Sequence, residues 1–387
     1  MGKWEMVRLG DVAEIQGGYA FKSERFINNG VPIIRIGNLE DDVVNIDKNI
    51  CYTREFWNDN KAFRVLKNDI LIAMSGATVG KIGLFLLKEP ALLNQRVSKI
   101  SVNTKLVTNR FVYHYVKSGL FMEQVKKLSF GCAQPNISGK QISDIQIPLP
   151  PLEVQRKIAE TLDAASELLA MRKKQLAELD KLIQSVFYDM FNAYFKDFNC
   201  YKKLPNLCDF IDYRGKTPEK SEYGIPLITA KNVKDNKFSI EPREFILEST
   251  YKSIMTRGFP KINDVIFTTE APLGNVCRIP SIFDKFAVGQ RIIAMQPKSN
   301  IMNSEYLEFA LTSKEFQGEM LKRSSGSTVK GIRSKELVKI SIPLPPFPLQ
   351  TIFAEIVQKI EEQKVLVQKA INETQALFDS LMNEYFE

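Results

Sequence analysis

Gly76-Ala77-Thr78-Val79-Gly80-Lys81 comes nearest to a nucleotide-binding motif in this chain. A phosphate-cradling P-loop needs four residues between its glycines and a Ser or Thr after the lysine to reach Mg²⁺. Here only three residues separate the glycines and Ile82 follows the lysine, so no nucleotide site is expected. Glu362-Gln363-Lys364 has the Glu-x-Lys spacing of metal-dependent nucleases, but it lies in a helical pattern with no Asp-bearing strand before it. Leu149-Pro150-Pro151 and Leu344-Pro345-Pro346 lack the Asn or Asp with which amino-methyltransferases hold an exocyclic amine. The one histidine, His114, sits in Phe111-Val112-Tyr113-His114-Tyr115-Val116 and reads as a packed helix residue. The five cysteines, at 51, 132, 200, 208 and 277, form no CxxC. One His and dispersed Cys argue against a zinc site, a His-dependent triad and a disulfide framework. No catalytic, cofactor or metal site emerges, and the chain is expected to act by binding.

Its charge points to what it binds. The 387 residues carry a net +8, and the two helical segments described below together carry −5, so the remainder carries +13. Such segregation suits globular parts that touch phosphate and helices that touch protein. Base edges are read by Arg, Lys, Asn and Gln with Ser and Thr as adaptable partners, and phosphates take Lys, Arg and backbone N–H groups. Glycine-bearing polar stretches between apolar runs supply the candidates. In the first half these are Lys22, Arg35, Asn38, Ser75, Thr78, Lys81, Gln95, Arg96, Gln134, Asn136, Ser138 and Lys140. In the second half they are Tyr213, Arg214, Lys216, Thr217, Lys231, Asn232, Gln290, Arg291, Ser327, Thr328, Lys330 and Arg333. Gly131–Asn136 and Gly326–Lys330 occupy one register and differ in side chain. Gln95-Arg96 and Gln290-Arg291 are identical, which favours a shared structural or phosphate-binding role.

The elements that position these residues occur twice. Ile147-Pro148-Leu149-Pro150-Pro151 recurs 195 residues later as Ile342-Pro343-Leu344-Pro345-Pro346. Gln155 and Gln350, Asn68-Asp69 and Asn263-Asp264, and Phe191 and Phe386 keep the same offset. Each copy opens with short runs such as Val31–Ile36 and Asp69–Ala73, bounded by Gly, Asn and Asp, which read as strands. Each ends in a pattern of period 3.5, the signature of a coiled-coil seam. The first seam is Ile158, Leu162, Ala165, Leu169, Arg172, Leu176, Leu179, Ile183, Val186 and Met190. The second is Phe353, Val357, Ile360, Lys364, Val367, Ile371, Thr374, Phe378, Leu381 and Tyr385. Arg172 and Lys364 interrupt the seams, either reaching out to water or fixing register. The prolines hold the chain extended, so helix begins only after Pro151, and after Pro346 or with Pro348 in its first turn. The expected architecture is α+β: similar mixed domains at 1–150 and 198–346, and long helices at 151–197 and 347–387.

The pattern resembles the specificity (S) subunit of a type I restriction–modification system. The likeness rests on Gly17-Gly18-Tyr19-Ala20-Phe21 and Gly30–Ile36 in the first copy, and on Arg214–Pro218 and Gly224–Thr229 in the second. It rests above all on the repeated Ile-x-Ile-Pro-Leu-Pro-Pro elbow with its following Gln and long helix. The resemblance implies two target recognition domains, each reading half of a split, asymmetric site in double-stranded DNA. It implies two helices paired as an antiparallel coiled-coil spacer with pseudo-twofold symmetry, docking two modification (methyltransferase) subunits, with restriction/translocase subunits joining them. S-adenosylmethionine, ATP and Mg²⁺ would then be bound by the partners and no cofactor by this chain.

Two rivals remain on sequence grounds: a coiled-coil scaffold whose basic domains bind an acidic protein, and an enzyme with an unrecognised site. No apolar run reaches the roughly 18 residues of a membrane helix, and Met1-Gly2-Lys3-Trp4-Glu5 shows no signal-peptide core, so a soluble, cytoplasmic protein is expected.

Overall fold

The computed structural model describes residues 4–40, 42–129, 135–213 and 218–386. The chain forms two compact units: Met1–Lys173 with Lys369–Glu387, and Lys174–Gln368. Each unit therefore holds a segment of both long helices, a division that cuts across the boundaries drawn from the sequence.

In the first unit Met6–Arg8 pairs antiparallel with Gln146–Pro148, the strand that leads into the proline elbow. One sheet has the order Ala13–Gly17, Val97–Val102, Ile70–Ala73, Ile82–Leu84, Asp42–Val44, Leu39–Glu40. A second has the order Cys51–Tyr52, Val31–Ile34, Ala91–Leu93, Arg64–Val65, and its two middle strands run parallel. Ile70–Ala73 and Ala91–Leu93 are buried along their whole length, which is why they read as unbroken apolar runs.

The second unit repeats the plan. Tyr201–Lys203 pairs with Ser341–Pro343. Cys208–Ile211, Ile292–Pro297, Val265–Thr269 and Leu273–Arg278 form one sheet, and Phe245–Ile246, Ile225–Ile228 and Ala287–Val288 another. The repeated Asn-Asp pair makes the same turn in both units. Asn68 and Asn263 take φ of 74° and 68°, a left-handed conformation asparagine tolerates. The following carboxylates close the turn, Asp69 Oδ2 accepting from Leu66 N at 2.8 Å and Asp264 Oδ2 from Lys261 N at 2.7 Å.

The elbows deliver helices at Leu152–Lys196 and Phe347–Phe386, the second with Pro348 in its first turn. The repeated glutamine locks each elbow. Gln155 is fully buried; its Nε2 donates to Pro150 O (2.8 Å) and Leu106 O (3.1 Å), and its Oε1 accepts from Thr108 N (2.8 Å). Gln350 does the same with Pro345 O (2.9 Å), Ile301 O (3.1 Å) and Asn303 N (2.9 Å).

Within each unit the two helix segments run antiparallel. In the first, Ile158 and Leu162 share a core with Met382 and Phe386, while Arg172 bonds to Ala370 O and Thr374 Oγ1. In the second, Phe187 and Phe191 stack near Phe353, and Lys364 Nζ meets Asp180 at 2.7 Å. Neither seam cation therefore turns out to water: each is held across the helix pair, as the register reading requires. Burial alone would lower the Lys364 pKa; the Asp180 and Glu361 carboxylates outweigh it and hold the ammonium above the ordinary lysine value.

The seam itself needs one correction. Towards the C-terminal ends the buried stripe moves on by one residue, from Val186 and Met190 to Phe187 and Phe191, and from Leu381 and Tyr385 to Met382 and Phe386. A straight α-helix drifts about 20° per heptad against a 3.5-residue repeat. These ends also pack on the globular core, Phe191 against Tyr306 at 4.7 Å and Phe386 against Phe111 at 5.5 Å. His114 is packed as expected, 1% exposed, with Nε2 2.6 Å from Asp163 Oδ1 on the first long helix.

Candidate nucleic-acid interface

One edge of each unit collects the candidate loops, and strand direction decides which. In the first unit the parallel strands Val31–Ile34 and Ala91–Leu93 end on the same side and open into residues 35–38 and 94–96. Asn94 N donates to Ile34 O at 3.1 Å, holding these two turns together. Ile70–Ala73 lies antiparallel to Val97–Val102, so its exit at residues 74–81 meets the same edge. Met74 N donates to Arg96 O at 2.9 Å, and Ser75 bridges to Asn136.

Arg35, Ile36, Gly37, Asn94, Gln95 and Arg96 line one shallow concavity of about 360 Å³. Arg35, Gln95 and Arg96 are exposed there. Neither arginine makes an ion pair among the described residues, and the same holds for Lys22, Lys81 and Lys140. Gln95 accepts from Asn94 Nδ2 at 3.0 Å and its N–H is anchored to Tyr19 O at 2.9 Å. A concave edge with two unneutralised guanidiniums suits a phosphate backbone or a base edge.

The second unit builds the same edge from residues 229–232, 270–272 and 289–291, with Gly289 N donating to Ile228 O at 2.7 Å. Above it stands a closed loop. Ser325 and Gly331 exchange backbone hydrogen bonds of 2.9 Å in both directions, and Ser327, Thr328 and Lys330 between them are exposed. Gly326 has φ 109°, and a Cβ there would collide with the Val329 carbonyl, so the turn demands glycine. Gly331 bridges to Glu270, as Asn136 bridges to Ser75 at the same offset. Arg333 is exposed beside the loop.

Several candidates are engaged by other groups of the fold. Asn38 and Asn232 are buried, and each side-chain oxygen accepts a backbone N–H that closes its own turn, Arg35 N at 2.8 Å and Thr229 N at 3.0 Å. Tyr213 is buried; its hydroxyl donates to Gly258 O and accepts from Arg257 N, both at 2.7 Å. Ser138 caps a short helix, accepting from Gln141 N at 3.2 Å. Lys231 is engaged by Glu244 at 2.8 Å, which Lys220 also reaches at 2.9 Å. Ser75 Oγ and Thr78 Oγ1 are buried without a hydrogen-bond partner among the described residues. Gln134, Arg214, Lys216 and Thr217 lie outside the described residues.

One residue at the edge escaped the sequence reading. Glu270 meets Arg291, Oε1 to Nε at 3.0 Å, whereas Arg96 has no such partner among the described residues. The signal was available in the 195-residue offset, which sets Glu270 opposite Ser75. Among the described residues there is no cluster of His, Cys, Asp or Glu suited to a metal ion.

Comparison with known proteins agrees with the geometry. A model of the type I restriction modification DNA specificity domain matches residues 1–181 and again 198–375. The chain is 30% identical over 182 residues to the type I restriction enzyme MjaVIII specificity subunit of Methanocaldococcus jannaschii, a stretch covering 46% of this chain and 43% of that one. It is 24% identical over 396 residues to the EcoBI specificity subunit of Escherichia coli, covering 93% of this chain and 79% of the relative. The crystal structure of a type I system S subunit from M. genitalium superposes over 100% of this chain and 96% of its own, with TM-score 0.58 and 19% identity, a likeness of fold.

Proposed function

The chain belongs to the type I restriction–modification DNA specificity family, and from that membership we propose that its two units read the two halves of one split, asymmetric DNA site. It is a specificity subunit, supplying the address and no chemistry of its own. The observation that carries the two-half reading is the paired edge: one fold presents its loops twice at corresponding places, keeping the Gln-Arg pair and changing the residues around it. Arg35, Gln95, Arg96 and Asn136 stand where Thr229, Gln290, Arg291 and Gly331 stand in the second copy. A homodimer would read a palindrome; two unlike edges on one chain read two unlike half-sites.

The relatives are subunits of restriction enzymes, and the reading extends to partners. Two modification subunits dock on this chain, and restriction/translocase subunits join them, with S-adenosylmethionine, ATP and Mg²⁺ held on those partners. Exposed apolar side chains on the long helices support a docking role: Val365 and Leu366 are 68% and 67% exposed. Among the described residues no helix is long and apolar enough to cross a membrane; the reading places the complex in the cytoplasm, with the DNA.

The test is residue-specific. In the complex with modification subunits, Asn136→Ala changes the sequence methylated in one half of the site and Lys330→Ala in the other. Equal weakening of both halves by either substitution would refute the assignment of one unit to each half.

A further inference from the structure

Gln95-Arg96 and Gln290-Arg291 are identical in sequence, yet the structure gives the two arginines different surroundings. Arg96 is exposed and makes no ion pair among the described residues. Arg291 Nε lies 3.0 Å from Glu270 Oε1, an ion pair. Its backbone also differs: Arg291 has φ 66°, a left-handed conformation rare for a long side chain, while Arg96 is not among the positive-φ residues. Such a conformation persists only where neighbours over-determine it. Thr269 N donates to Arg291 O at 2.8 Å as Met74 N does to Arg96 O at 2.9 Å, and Glu270 bridges to Gly331 as Ser75 does to Asn136, so what sets Arg291 apart is the Glu270 carboxylate beside it.

The pair has little value for the fold, because Glu270 and Arg291 are 45% and 56% exposed and surface ion pairs contribute little. What it changes is the charge that the edge presents to DNA. A carboxylate beside the guanidinium cancels its attraction for phosphate and repels the phosphate itself. Glu270 comes closest at Nε, and the terminal edge made by the two Nη groups is the one that matches O6 and N7 of guanine. We propose that Arg291, aimed by Glu270, reads a guanine in the half-site of the second unit, while its sequence twin Arg96 contacts phosphate. Glu270 is a positioning residue for specificity, and the difference between the copies lies in the residue opposite, Ser75 against Glu270. The inference rests on the two-half reading above and adds a residue-to-base assignment to it.

The test uses the whole complex with its modification subunits, on duplexes carrying every single base-pair change across the wild-type methylated motif. Glu270→Ser gives the second unit the first unit's residue, and Glu270→Gln keeps the size while removing the charge. Both are expected to lose about tenfold or more of the discrimination at one G·C pair of the second half-site. Arg291→Ala loses it at the same pair. Discrimination in the first half-site stays intact and reports a folded chain. Affinity for unrelated DNA rises in Glu270→Ser, with a salt dependence steeper by about one phosphate contact. The converse substitution, Ser75→Glu, lowers unspecific affinity and flattens the salt dependence by about the same amount. Full discrimination at every position in both Glu270 variants would overturn the proposal, as would an Arg291→Ala that weakens all sequences alike; either result leaves the two-half reading standing. A wild-type complex with no sequence preference would overturn that reading, and this one with it.

Discussion

At the scale of single residues, type announces chemistry but burial decides it. Gln155 and Gln350 were visible as a repeated landmark; their work is to satisfy backbone groups at the elbow, and an unpaired buried polar group costs about 1–3 kcal/mol. Asn38, Asn232 and Tyr213 are the kinds of residue that touch DNA, yet all three are buried and used internally. Composition cannot distinguish a side chain facing a groove from one closing its own turn. His114 was legible as a packed residue, but its partner, 49 positions away, was not. Burial lowers the His114 pKa to about 4, against the opposing pull of Asp163. Above its ordinary value of about 6.5 the ring is neutral in both folded and unfolded chains and pH has no leverage through it. As pH falls from about 6.5 towards 4, the unfolded chain takes up a proton that the folded one refuses, and stability is lost, by up to about 3 kcal/mol. His114→Gln, which keeps a donor towards Asp163, should flatten the acid limb of a denaturant-derived stability profile in that window. An unchanged limb would mean that other groups govern it.

At the scale of elements, the sequence was most informative where physics is local. Proline stiffness placed both helix starts, and the period of 3.5 found both seams. The shift of the stripe to Phe187 and Phe191, and to Met382 and Phe386, was not legible, because it depends on what each helix end packs against. Arg172 and Lys364 find partners across the helix pair, Thr374 in one case and Asp180 in the other. Such contacts fix register, so the helices suit the role of ruler. A helix of about 40 residues is roughly 60 Å long, against a DNA turn of about 34–36 Å. Four residues inserted in either helix lengthen it by about 6 Å, close to two base pairs. The spacing between methylated half-sites is expected to change accordingly. An active complex that keeps its original spacing would defeat the ruler account.

At the scale of the molecule, duplication explains the organisation. The 195-residue offset returns the same strand pair before the elbow, the same Asn-Asp turn and the same locked elbow. At the edge the copies differ where Ser75 and Asn136 of the first correspond to Glu270 and Gly331 of the second, each pair bridged within its own unit. The division into compact units was not legible, because each unit takes the end of a helix that begins in the other half of the sequence. The positive charge left after the helices are set aside, +13, belongs to the parts that carry these edges. The central claim is that this one chain specifies a split, asymmetric address for methylation. The most direct measurement maps modified adenines at single-base resolution in the source strain and in a deletion of this gene. The account predicts that one bipartite, asymmetric adenine motif disappears from the deletion and returns on complementation. A methylated motif of that kind surviving unchanged, in a strain whose modification subunits are expressed and active, would contradict it.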